Sequence, residues 1–143
     1  MKRVFLTFVV ALSVALTLSC CCACRSGNAS RDIKLGGTTW QVEQIGSSNF
    51  TPTDDKYTIT FGEDGKVNGL AECNRFFGDY ATSDKKELKF DHMGMTRMMC
   101  PQPDREDLFT QMLGKVTHYA IDGKTLILLN NGESVALLRK VER

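Results

Sequence analysis

Histidine and proline are both scarce in this chain of 143 residues, with two of the first and three of the second. A zinc site takes four nitrogen or sulfur ligands, usually as two spaced pairs. His92 and His118 stand apart, and beyond residue 24 there is no Cys-x-x-Cys or His-x-x-x-His spacing. Also absent are the Gly-x-Ser-x-Gly elbow of serine hydrolases, the P-loop and the Gly-x-Gly-x-x-Gly phosphate cradle. No catalytic, cofactor-binding or metal-binding residue is therefore predicted, and no cofactor. A strong charge of one sign is missing too, since the formal net charge is +1. Without residues 1–19, which hold Lys2 and Arg3 and no acid, 16 cations face 17 acids and the charge is −1. A near-neutral chain has no electrostatic footprint for nucleic acid.

One long apolar run is present, at the N-terminus. Lys2 and Arg3 precede Val4–Leu18, which is almost wholly apolar, and Ser19 and Cys20 follow. A basic start, a short apolar stretch and a small residue make an export leader over residues 1–19. The run is shorter than the ~20 residues of a membrane-spanning helix. A small residue before cysteine at a leader's end resembles a bacterial lipobox, in which the cysteine is acylated. Cys20 is the expected acyl site, with Cys21 as the alternative. Cys20-Cys21-Cys22-Ala23-Cys24 is too tight a cluster for a zinc site of separated pairs. Several acyl chains, at ~0.8 kcal/mol per buried methylene, tether a protein stably where one does not. The small polar residues up to 34 read as a flexible leash, so a lipidated cysteine and linker are expected over residues 20–34.

The folded domain is expected over residues 35–143. Thr38–Ile45 alternates as a strand with Trp40 and Val42 on one face, and Trp40 is expected to anchor the core. Gly46–Asp55 is polar and reads as a loop. Tyr57–Phe61, the turn Gly62–Gly65 and the return strand Lys66–Cys73 form a hairpin. Gly69 and Ala71 leave space on one face, to be filled by Trp40 or Phe77, or else kept open as a ligand cavity. Phe76–Thr82 and a stretch from Leu88 towards Cys100 are further strands, and one of Phe76 and Phe77 is expected to be less buried. Asp104 suits a helix N-cap, Leu108, Phe109, Met112, Leu113 and Val116 form a stripe, and Gly114 marks the end of the one helix, around 103–114. His118–Ile121, Thr125–Leu129 and Ser134–Arg139 complete the strands, with turns at Asp122-Gly123 and Asn131-Gly132. About seven or eight strands and one helix give a mainly β fold: a curved antiparallel sheet, open or barrel-like.

Cys73 and Cys100 are the two cysteines beyond the leader region. Disulfides persist outside the cytoplasm, so an exported chain is expected to pair them. The other reading is two buried free thiols. Glu72, Arg75, Asp79 and Arg97 stand near these cysteines. They form either a polar patch or a solvated rim with weak ion pairs, and the rim is expected.

Trp40 on a first strand, then Gly69-x-x-x-Cys73-Asn74-x-Phe76-x-Gly78-x-Tyr80, then Thr96-x-Met98-x-Cys100 and a Leu/Phe-bearing helix, resemble the META domain, or HslJ-like, family. The resemblance spans roughly Leu35 to Arg139. It departs at Ala71-Glu72, where the family commonly has small residues. It implies a small β-barrel-like fold with one helix, and a lipoprotein or periplasmic address. The cell envelope is expected, with the domain lipid-anchored to the outer membrane and facing the periplasm. The family is associated with stress and antibiotic tolerance, and it supplies no catalytic residues to carry over. The expected role is a non-catalytic, membrane-tethered domain that binds an envelope protein or a small apolar ligand, without nucleic acid. The alternative is a periplasmic small-molecule carrier built as a barrel.

Overall fold

Strand alternation is realised over most of the chain. The computed structural model describes residues 34–51 and 55–142. Cys20, Cys21, the leader and the leash lie outside the described residues. Nine strands and one helix follow in chain order: β1 Thr38–Ile45, β2 Ser48–Asn49, β3 Thr58–Phe61, β4 Lys66–Leu70, β5 Arg75–Thr82, β6 Leu88–Met95, α1 Pro103–Lys115, β7 His118–Asp122, β8 Thr125–Asn130 and β9 Glu133–Lys140. They form one antiparallel sheet in the order β6-β5-β4-β3-β1-β9-β8-β7, with β2 paired to β1. The sheet curls until its two edges touch at the single bridge Glu87–His118. There the Leu88 N–H donates to the Thr117 carbonyl at 2.9 Å and the Tyr119 N–H to the Lys86 carbonyl at 2.9 Å. The sheet is curved and not closed by a full ladder.

The concave face and α1 enclose the core. Trp40, Ile59, Phe61, Phe76, Leu126, Leu128 and Leu138 are fully buried there, together with Phe109 of the helix. The Phe109 ring lies 5.9 Å from Tyr57 and 5.5 Å from Phe76, centroid to centroid. Trp40 is a core residue as expected, and its indole N–H donates to Thr38 Oγ1 at 2.7 Å, which satisfies its polar end.

The space at Gly69 is occupied, by a different ring from the ones expected. A Cβ on Gly69 would stand 1.9 Å from the Thr58 carbonyl oxygen and 2.6 Å from the Phe76 ring. Phe76 pairs with Gly69 across β4 and β5 and fills the gap, while Phe77 turns outward and is 59% exposed. The interior is packed with side chains, which removes the basis for an internal barrel cavity at Gly69 and Ala71.

Several boundaries differ from expectation. The return strand stops at Leu70 because the Ala71 N–H bonds to the Asn74 carbonyl at 2.9 Å, closing a tight loop instead of a ladder. Strand β6 stops at Met95, short of Cys100. The Gly123-Lys124 loop joins β7 to β8 with positive φ at Gly123, while Asn131 and Gly132 both take positive φ as a type I′ turn demands.

Helix α1 starts with Pro103, whose missing N–H is no loss in a first turn. Gln102 is the N-cap, without a side-chain bond, and Asp104 sits inside the first turn. Phe109, Met112 and Leu113 form the buried face, whereas Val116 lies past the last turn. Gly114 marks the end of the helix to within one residue: it is the last but one, with nothing within 4 Å of where a Cβ would be. Glycine in a helix interior is about 1 kcal/mol less favourable than alanine, and less so in a last turn. Gly114→Ala is therefore expected to stabilise the domain by at most about 1 kcal/mol, read as a higher denaturation midpoint with an unchanged slope.

Candidate functional site

The two cysteine stretches meet beside the first turn of α1. Cys73 and Cys100 are joined by a disulfide with a Cα–Cα distance of 5.6 Å. Around it lies a polar knot centred on Asn74, which is only 2% exposed. Asn74 Nδ2 donates to the Met98 carbonyl at 3.0 Å and to Glu106 Oε1 at 2.6 Å. Asn74 Oδ1 accepts from Thr96 Oγ1 at 3.0 Å and from the Met98 N–H at 2.6 Å. Glu106, from the first turn of α1, accepts the Asn74 N–H at 3.2 Å and the Cys73 N–H at 3.4 Å on Oε2. One asparagine and one glutamate thus tie the loop after β4, the segment after β6 and the helix into a single piece.

Cys73 Sγ, Cys100 Sγ and a Glu106 oxygen lie within 4.8 Å of one another. The two sulfurs are bonded to each other, so they are not thiolate ligands, and the carboxylate is engaged by backbone and side-chain N–H groups. The cluster reads as a structural joint. The one available signal for Glu106 was an acid in the first turn of a helix.

The remaining residues of the motif also have structural partners. Gly78 faces a β-bulge: Phe77 pairs with Gly94 and Asp79 with Asp91, so His92 and Met93 both oppose Gly78. A Cβ on Gly78 would come within 2.4 Å of Met93 Sδ and 2.9 Å of the Asp91 carbonyl. Tyr80 donates to the Gly62 carbonyl at 2.7 Å and packs edge-on against Phe61.

The four charged residues grouped near the cysteines separate. Glu72 is not part of a solvated rim: it is 3% exposed, bonded by the Tyr57 hydroxyl and by Lys56 Nζ at 3.0 Å. Burial pushes the Glu72 carboxyl up, but the bonds from Tyr57 and Lys56 and the nearby charges outweigh it and hold the group below its ordinary value. Burial first, and then the bond to Glu72, push the Tyr57 phenol up. Tyr57 also holds a positive φ of 54°, a backbone region rarely used by a bulky residue. A lowered folded-state value means that Glu72 stabilises the fold above the ordinary carboxylate range. That contribution is lost as pH falls through the lowered value. Glu72→Gln is expected to weaken the fold at pH 7 and to flatten the loss of stability below pH ~4, as measured by urea unfolding across pH.

Asp79 pairs instead with Lys66 at 2.5 Å and His92 at 3.0 Å, on the exposed side of the sheet. Arg75 and Arg97 are exposed. Arg97 borders a cleft of about 550 Å³ between β6 and α1, lined also by Phe76, Phe90, Met93, Met95, Leu113 and Val116. The bulge at His92 and Met93 bends β6 beside this cleft, a common placement for bulges near binding sites.

A search of curated proteins finds no match. Solved structures of similar fold include the NMR structure of a protein from Burkholderia xenovorans, 24% identical, with TM-score 0.60 over 76% of this chain and 85% of that one. A second NMR structure is 25% identical, with TM-score 0.57 over 71% of this chain and 87% of that one. The crystal structure of a DUF4847 family protein from Bacteroides vulgatus is 17% identical, with TM-score 0.53 over 76% of this chain and 94% of that one. The META domain family matches residues 33–142, most of the chain. With its motif residues assembled in one knot and one sheet, this chain belongs to the META domain family.

Proposed function

We propose that the domain is a non-catalytic binding module of the bacterial cell envelope. It is held at the membrane by acylation of Cys20, or alternatively Cys21, and faces the periplasm, where it supports stress or antibiotic tolerance. The observation that supports this reading best is the cleft between β6 and α1. It lies beside a frame whose polar motif groups are already bonded to one another, and about 550 Å³ is within the range of ligand sites. The carrier alternative, a barrel with an internal cavity, loses support because Phe76 and the core aromatics fill that space. A carrier role would use the same cleft.

The test is a photocrosslinking residue placed at Lys89, an exposed residue on the rim of the cleft, in the full chain, irradiated in native envelopes. A discrete adduct, protein or small molecule, is the expected result. No adduct, or substrate turnover by the purified protein, would contradict the reading.

A further inference from the structure

We infer that the cleft between β6 and α1 binds a single-chain amphiphile with an anionic head, its head at Arg97 and its chain running towards Val116. This rests on the cleft being the binding site proposed above. The direction follows from how the two elements lie. Leu88, at the start of β6, bonds to Thr117 just past the helix, while Met95, at its end, lies beside Thr110 in the helix middle. The cleft therefore has a long axis, with Arg97 at one end and Phe90 and Val116 at the other.

Charged groups stand only towards the ends of that axis. Phe76, Met95 and Leu113 line the middle, and the Thr110 hydroxyl there is already turned to the Glu106 carbonyl at 2.9 Å. No acid lines the cleft, and the two charged residues that do are Arg97 and Lys89. Lys89 is paired with Asp91 at 2.9 Å, whereas Arg97 has no ion-pair partner among the described residues. An apolar trough with one unpaired guanidinium at its end matches a chain that ends in anionic oxygens. Methionine walls suit a flexible alkyl chain because the thioether side chain adapts its shape.

Gly114, the last but one residue of the helix, borders the cleft and has open space where a side chain would be, so a bulky side chain there would fill the trough.

The test uses the full chain in envelope membranes and two photoactivatable diazirine probes, a C16 fatty acid and the matching C16 alcohol. The acid is expected to label peptides from 89–97 and 110–116. Arg97→Glu is expected to cut acid labelling roughly tenfold relative to the alcohol. Gly114→Leu should abolish labelling, and Gln111→Leu, on the same helix but outside the cleft lining, should leave it unchanged. Competition by unlabelled oleate against lysophosphatidylglycerol distinguishes a free fatty acid from a lysophospholipid as the source. Equal labelling by acid and alcohol, or undiminished labelling of Gly114→Leu, would overturn the inference. A protein adduct at position 89 without amphiphile labelling would overturn it too, and would leave the proposed binding role standing.

Discussion

Replacing Cys73 and Cys100 together by alanine is expected to lower the unfolding free energy by about 3.5 kcal/mol. The two residues are 27 apart in sequence, and their bond closes a loop that holds all of β5 and β6. Chain-entropy reasoning assigns a loss of that size to opening a loop of this length in the unfolded state. The native contacts around the bond are otherwise retained, because Asn74 and Glu106 still join the same three segments. Reduction by dithiothreitol should therefore leave a folded but weaker domain. Denaturant titration of the oxidised, reduced and double-alanine proteins measures the effect. Equal midpoints for all three would show that the bond adds nothing to the fold.

The second large effect is expected at Asn74. Asn74→Ala removes an amide that serves Met98 twice, Thr96 once and Glu106 once. A buried partner left without its hydrogen bond costs about 1–3 kcal/mol. Part of this knot is open to water, so the net loss is expected near 3 kcal/mol. The Met98–Met99 segment should loosen first, seen as faster amide exchange at Met98. Glu106→Gln should cost less, since it keeps the shape and loses only the charge. The double variant should be less destabilised than the two losses added together, because both residues belong to one network.

Much of the fold was legible because its signals are local. The bounds of β1 follow from alternation around Trp40 and Val42, and the helix is set by the spacing of Phe109, Met112 and Leu113. The pairing of Cys73 with Cys100 followed from the expected compartment and from there being no other cysteine nearby in sequence. The knot was not legible. Asn74 and Glu106 are 32 residues apart, and nothing in either neighbourhood announces the other. The bulge was hidden for a different reason: one extra residue at His92 and Met93 leaves the apolar pattern of a methionine-rich strand almost unchanged. Glu72 was misread because exposure was inferred from charge, whereas Tyr57 and Lys56 let a carboxylate be buried. The cleft exists only once β6 and α1 lie side by side, which no local pattern encodes.

The most direct measurement is peptide mapping by mass spectrometry, under non-reducing conditions, of the protein isolated from the cells that make it with thiols blocked at lysis. The structure predicts one linked pair of peptides containing Cys73 and Cys100, which separates on reduction. Blocked thiols at both positions, or either cysteine linked to one of Cys20, Cys21, Cys22 or Cys24, would contradict the account.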